Sequence, residues 1–545
     1  MKKRKTLLSL IVATMMLVSL LSMVPQTNAA PTKDEFEIVV PWGLDHPRGK
    51  IIKSMITNHS TLGDKYDYVF TAVGGSPSDR DALTARFLAA DYPELIITTQ
   101  DWYTEFSLMP IWHNFAPMIA GWTAAERTDI PAGWWSILDF NNGDGTGDYI
   151  FALPFFGQSI LPYVNTDIFK DAGLNYTHPE EDLEDVDEFL AACEAIDTDG
   201  NIAFAMVGDG SSDTTYMNYM LGSTDNYISD RFGTATGVPT VMAWGDNDEY
   251  GLNGTLSVEG YAAYLKMKGE GWVQPEVMTS GGGYANSLFG NGSAGMVFCG
   301  PWGTSIFENT AKVAGVKLNF TAVPMPACSD GVRSTITGGG ITWVPKLLDA
   351  TMKADALTLA EWLLDDENQM KTVENWLGES WRIPVKKSLT TDPWFSAFPN
   401  RSNFVTHIES QEYAYPWGKQ HPEWIAIHES VLMPGYYDAL LAINYDGTYT
   451  DQNYIDAAQA ALDDMAQEIE DDYLRGSVTI PWFLHEPGTK TATATATVPT
   501  TVQETEIKTT VSVVTSVVSA NGFGIIAAIA GIGSIFFIAK KKRKR

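Results

Sequence analysis

Cysteine is nearly missing from this chain, with three residues, Cys193, Cys299 and Cys328, in a length of 545. So few exclude a disulfide scaffold and leave room for one bridge at most. Cys193 falls on the apolar face of DLEDVDEFLAACEAI, beside Val186, Phe189 and Leu190, and is expected in a core. Cys299 and Cys328 are the remaining possible pair, with free thiols an equal alternative. Histidine is also sparse: eight residues are scattered without a short-spaced pair, and no H-E-x-x-H helix occurs. The chain has no G-x-x-x-x-G-K-[ST] phosphate loop and no G-x-S-x-G nucleophile elbow. Positive charge is outnumbered along the body of the chain. Lys and Arg number 36 against 67 Asp and Glu, a net charge of −31. Ten of the basic residues sit at the two ends, Lys2 to Lys5 and Lys540 to Arg545, where no acid accompanies them; the stretch between carries −41. Such a surface repels nucleic acid, which is excluded as a partner.

What remains is an acidic, aromatic-rich globular composition, 45% hydrophobic and 12% aromatic, long enough for two large cores. The basic start, the apolar run Leu7–Val24 and the small residues at Asn28, Ala29 and Ala30 have the layout of a secretory signal peptide, residues 1–30; a retained N-terminal anchor is the alternative. Residues 521–539 (NGFGIIAAIAGIGSIFFIA) are uncharged and just long enough for a transmembrane helix. The basic tail 540–545 marks its cytoplasmic side, so everything before residue 521 is expected outside the cell, with a cleaved sorting signal as the alternative. Residues 490–519, rich in Thr, Val and Ala, read as a stalk. Six N-x-[ST] sequons, at Asn58, Asn175, Asn253, Asn291, Asn319 and Asn400, suit an exported chain.

Between the ends, strand-like and helix-like runs alternate: strands at Phe36–Val40 and Leu95–Thr98, a helix at Ser78–Ala90 with Leu83, Phe87 and Leu88 on one face, and a last helix at Tyr454–Tyr473 carrying Ile455, Leu462, Met465 and Ile469. This alternation predicts α/β architecture with mostly parallel strands. Ligands of open α/β sheets sit beyond the carboxyl ends of strands, and these positions are rich in aromatics and acids: Trp42 and Asp45, then Asp101 and Trp102, then Gly300, Pro301 and Trp302. GNGSAG (Gly290–Gly295) matches G-x-G-x-x-G but precedes a strand, so it reads as a turn. NNGDGTGD (Asn141–Asp148) resembles a calcium loop, yet Leu153 stands where the bidentate Glu belongs, and an acidic turn is favoured. No cofactor is implied.

Read in order, the same residues resemble the family 1 extracellular solute-binding proteins, the maltose-binding-protein-like receptors of ABC importers. ALTARFLAADYPELIITTQDW, LPFFGQSILPYVNTDIFKDAGL, SLFGNGSAGMVFCGPWG, ITGGGITWVPK and AEWLLDDENQMKTVENWLGESWRIPV are similar to successive family segments. Two departures stand out: Glu94 replaces the usual Asp of the "aPD" turn, and Val164 separates the counterparts Tyr163 and Asn165. The resemblance spans about residues 34–478. It implies two α/β lobes of periplasmic-binding-protein type joined by three crossings, one of residues 34–153 and 337–382, the other of 157–335 and 386–478. It further implies a carbohydrate, mono- or oligosaccharide, bound in the interlobe cleft and delivered to an ABC permease, with no catalysis. The matching ligand-binding positions are Trp42, Asp45, Asp101, Gln158, Tyr216, Trp302 and Trp424; Trp102 joins them from the strand-end argument alone. Indole faces suit the C–H faces of sugars, and Asp and Gln suit their hydroxyls. An anchored carbohydrate-active hydrolase and a surface adhesin are the rival readings.

Overall fold

The computed structural model describes residues 35–469 apart from 74–76, 108, 140–144, 199, 212–251, 253, 330, 332, 376–381, 398, 417–423 and 445–448. The expected signal peptide, stalk, membrane span and basic tail lie outside the described residues, as does Tyr216. Among the described residues no helix is long and apolar enough to cross a membrane. The chain divides into two compact units, one of residues up to Thr98 with Thr342–Trp376, the other of Thr99–Ile341 with residues from Leu377 onward. It passes between them three times, at 98/99, 341/342 and 376/377.

In the first unit, β1 (Glu35–Val40) pairs in parallel with β2 (Asp67–Ala72) on one side and with β3 (Leu95–Thr99) on the other. The β1 sequence EFEIVV is a near-continuous apolar run because both of its faces are covered: Phe36, Ile38, Val39 and Val40 are fully buried. Helix Pro47–Thr57 returns between β1 and β2, and helix Pro77–Leu88 between β2 and β3, as parallel strands require. The latter helix buries Leu83 and Phe87, whereas Leu88 is 49% exposed at its last turn, so the expected three-residue face holds only two. Trp343, at the end of β9 (Thr335–Trp343), donates through Nε1 to Thr98 Oγ1 at 2.9 Å.

The second unit contains a sheet ordered β6 (Ile202–Ala205), β7 (Ala294–Cys299), β5 (Leu161–Asn165), β8 (Phe320–Ala322). β6 and β7 pair in parallel and β8 runs in the same direction; β5 alone is reversed, antiparallel to both of its neighbours β7 and β8, with Tyr163 opposite Val297 and Ala322. The expectation of mostly parallel strands fails at β5, which makes both of its pairings antiparallel. β5 follows β4 (Leu153–Ser159) after the single residue Ile160, so no crossover helix constrains its direction. Helix Val186–Thr198 buries Phe189, Ala192, Cys193 and Ile196, and helix Thr255–Gly269 is buried over most of its circumference. Helix Asp451–Ile469 packs Tyr454, Ala458, Leu462, Met465 and Ile469 inward; Ile455, expected on that face, is 42% exposed. All three cysteines are buried free thiols.

Also in this unit, β10 (Ala414–Pro416) pairs in parallel with the start of β9, and β4 pairs with β9 as well. The run Gly338–Gly340 in β9 is a place where no side chain fits. Gly339 has φ +139°, and a Cβ there would lie 1.9 Å from the Phe156 carbonyl oxygen. The approach is sealed by Gln100, whose Oε1 accepts from Gly339 N at 2.8 Å.

Candidate functional site

In the first unit, β1 ends directly in Pro41-Trp42-Gly43-Leu44-Asp45-His46, and helix Pro47–Thr57 begins with proline in its first turn and the His46 side chain as its cap, accepting from Arg48 N at 3.2 Å. Trp42 is half-buried at this strand end. Its ring stacks on His46 at 6.3 Å, and the Arg48 guanidinium lies 4.7 Å from its centroid. A cation over an indole holds the ring in one orientation. Asp45, in the same turn, is exposed.

In the second unit, Asp101 and Trp102 occupy the short turn Gln100–Trp102 that follows β3. Asp101 is half-buried. Trp102 is 2% exposed, with its ring set edge-on against Phe106 at 5.6 Å, so its surface is already occupied by protein. β6 and β7 run parallel, so the loops after them leave the same edge of the sheet, and Gly300-Pro301-Trp302 is the loop after β7. GNGSAG is the turn that leads into β7: Gly292 has φ +81°, and the strand starts at Ala294. Trp302 is half-buried, with the Arg382 guanidinium 4.5 Å from its ring centroid. Arg382 also lies 5.9 Å from the ring of Phe156 in β4. Its position is set by the backbone, because the adjacent Ile383 exchanges both hydrogen bonds with Gly157, at 2.7 and 3.1 Å. Gln158, the half-buried residue of an otherwise buried strand, is two residues beyond Phe156 and therefore on the same face of β4. Trp424 opens the short helix Trp424–Ile427, which runs into a π-helical turn at His428–Leu432.

Beneath the Trp302 loop lies a buried polar chain that motif reasoning did not find. His407 is fully buried; its Nε2 is 2.9 Å from the Tyr163 hydroxyl and its Nδ1 2.9 Å from Ser159 Oγ. Ser410 Oγ donates to Ser159 Oγ at 2.7 Å, and the Tyr163 hydroxyl donates to the Gly300 carbonyl at 3.2 Å. Burial holds the His407 pKa down to about 3 and raises that of Tyr163 well above the ordinary value, so both are neutral at physiological pH. No spacing rule connects positions 159, 163, 300 and 407; only the fold does. Arg382 was visible in the SWRIPV segment, but nothing in the sequence set it against Trp302. The residues Asn142 and Asp144 of the calcium-like turn lie outside the described residues. Nearby, Gly147 N donates to Asp139 Oδ2 at 2.9 Å, and no cluster of three or more metal-ligating side chains occurs among the described residues.

Two α/β units with aromatic and acidic residues after their strands have counterparts among known proteins. The family described as bacterial extracellular solute-binding protein matches residues 64–403. The chain belongs to that family. The family's members are binding proteins that work outside the cytoplasm and do not catalyse a reaction. Among curated relatives, the maltodextrin-binding protein MdxE of Bacillus subtilis is 25% identical over 199 residues, 36% of this chain. That match spans 41% of the relative's own length. Among solved structures, the sugar-binding protein MalE of Xanthomonas citri superposes with a TM-score of 0.60 at 15% identity, covering 81% of this chain and 99% of the other. An ABC transporter solute-binding protein of Thermotoga lettingae, bound with α-D-tagatose, gives 0.55 at 18% identity, covering 79% and 100%. Maltose-bound MalE3 of T. maritima gives 0.56 at 16%, covering 79% and 99%. Identities this low establish the fold, which is the two-lobed α/β architecture of periplasmic binding proteins.

Proposed function

We propose that the protein is a cell-surface receptor that captures a carbohydrate, a mono- or oligosaccharide, and hands it to an ABC permease. The observation that carries this reading is the half-exposed indole of Trp302, presented from the carboxyl end of a central strand in a member of a solute-binding family. Flat aromatic surface beside planar hydrogen-bonding groups is what a pyranose needs, since its C–H faces stack and its hydroxyls demand donors and acceptors. Trp42, Asp45, Asp101, Gln158, Tyr216 and Trp424 are the further proposed contacts. Trp102 supports them from the interior. The sugars of the relatives, maltodextrin, maltose and tagatose, favour the same ligand class.

The rest of the chain completes the proposal: residues 1–30 direct export, 490–519 form a stalk, and 521–539 hold the receptor in the membrane with the 540–545 tail inside. The proposed lobes, 34–153 with 337–382 and 157–335 with 386–478, assign residues 99–153 to the first lobe, whereas the compact units group them with the second. Calorimetry against a panel of oligosaccharides, peptides and polyols is the test. At least one saccharide is expected to bind with an affinity that drops on Trp302→Ala. Binding confined to peptides would overturn the sugar assignment while leaving a receptor.

A further inference from the structure

We infer that Tyr163, itself held by His407, is the positioning residue that sets the orientation of Trp302. The inference rests on the reading of Trp302 as a ligand contact only for its functional consequence; the geometry stands without it.

The Gly300-Pro301-Trp302 loop is held at its far end by helix Gly303–Ala314, where the Trp302 carbonyl accepts from Ile306 N and Ser305 Oγ, both at 3.3 Å, and the ring carries Arg382 at 4.5 Å. Pro301 has no N–H to donate, so the loop can be fixed through the Gly300 carbonyl. That oxygen accepts twice, from Gly303 N at 2.8 Å and from the Tyr163 hydroxyl at 3.2 Å, which fills both lone pairs and locks the peptide plane. Immediately above it, the indole of Trp302 folds back onto Gly300: a Cβ there would lie 2.0 Å from the six-membered ring. A rotation of the Gly300 peptide therefore moves the ring. Tyr163 cannot shift to follow, because its ring is fully buried and packs edge-on against Phe307 at 5.1 Å.

The hydroxyls of Ser159 and Ser410 both also lie within reach of the His407 carbonyl, at 3.1 and 2.8 Å. In the arrangement that serves the Gly300 carbonyl, Tyr163 gives it its single proton and accepts from His407 Nε2–H, the neutral tautomer that this assignment requires. His407 Nδ1 then accepts from Ser159 Oγ, and Ser159 accepts from Ser410. Thr304 Oγ1, 3.3 Å from the Tyr163 hydroxyl, completes the surroundings. The chain thus runs from the end of β4, through β5, to the Trp302 loop.

The test uses the protein labelled with 5-fluorotryptophan, in which the Trp302 resonance is identified by its loss in Trp302→Phe. Tyr163→Phe keeps the ring and deletes the hydroxyl. It is expected to move or broaden the Trp302 ¹⁹F signal selectively in the unliganded protein. His407→Gln, which retains an N–H donor toward Tyr163, leaves that signal near its wild-type position, whereas His407→Leu displaces it. With maltotriose as probe, Tyr163→Phe should weaken binding about 10-fold in the wild-type background and less than about 2-fold when Trp302 is already Ala. An unmoved Trp302 resonance in folded Tyr163→Phe overturns the inference, as does an equal loss of affinity in both backgrounds. Failure of maltotriose to bind at all refutes the sugar reading for that ligand, and the ¹⁹F signals then decide the positioning role alone.

Discussion

Acidification should destabilise the second unit through His407 in a range where carboxylates are still ionised. The ring is fully buried between the Tyr163 hydroxyl and Ser159 Oγ, and its pKa is held down to about 3 by burial, while in the unfolded chain it returns to 6.5. As pH falls through 6.5 the unfolded state takes up a proton that the folded state refuses. The stability contributed by the neutral ring is therefore complete above about pH 7 and is lost progressively down to pH 3. The slope approaches about 1.4 kcal/mol per pH unit, and the loss at pH 5 amounts to about 2 kcal/mol. His428, buried with a pKa held to about 4, adds about 2 kcal/mol by the same reasoning. Against a typical total of about 5–15 kcal/mol, that is a large fraction. Urea unfolding of wild type and His407→Gln at pH 7.5 and pH 5 isolates the first contribution, because every other titrating group is common to both proteins. The variant should lose about 2 kcal/mol less between the two pH values. An identical loss in both would refute the reasoning, since it would mean that His407 takes up no proton on unfolding.

Trp302 and Trp102 should separate cleanly. Trp302→Ala is expected to cut sugar affinity at least about 10-fold in calorimetry with a modest change in melting temperature, whereas Trp102→Ala, emptying a buried site, should cost about 3–5 kcal/mol in denaturant unfolding. Gly300→Ala places a Cβ 2.0 Å from the Trp302 ring and should weaken binding as strongly as Trp302→Ala itself, visible in the same titration. Gly339→Ala combines a forbidden φ of +139° with a 1.9 Å approach to the Phe156 carbonyl; a loss of at least about 3 kcal/mol, or failure to accumulate as soluble protein, is expected. A thiol reagent should find none of Cys193, Cys299 and Cys328 in the native protein and all three after denaturation, measured by absorbance of the released chromophore.

Local pattern and motif order carried much of the architecture. The apolar runs at 36–40, 95–98 and 296–299 became β1, β3 and β7, and the GNGSAG turn was legible from the strand-like MVFC run directly after it. These are properties of short windows, where side-chain periodicity and turn chemistry act directly on the backbone. Errors arose where the outcome depended on what a face meets. Leu88 and Ile455 have the spacing of core residues yet stay exposed: Leu88 is the last residue of its helix, and Ile455 lies to one side of the stripe that buries Tyr454 and Ala458. β5 runs antiparallel to β7 and β8, a pairing between segments distant in sequence that strand propensity does not register.

For the site, the sequence by itself determined the residue types and their place after strands: the Trp42 turn, the Asp101 turn and the Gly300-Pro301-Trp302 loop. It also determined the acidity, −41 between the two basic ends, from which no polyanionic partner is expected. Only the tertiary structure decided which of those rings offers a surface, turning Trp102 inward against Phe106 and leaving Trp302 half-exposed beside Arg382. It alone brought Ser159, Tyr163, Gly300 and His407 within hydrogen-bonding distance, across as many as 248 positions of chain. The physical reason is that burial and hydrogen bonding are satisfied between neighbours in space. A sequence specifies those neighbours only through the whole fold.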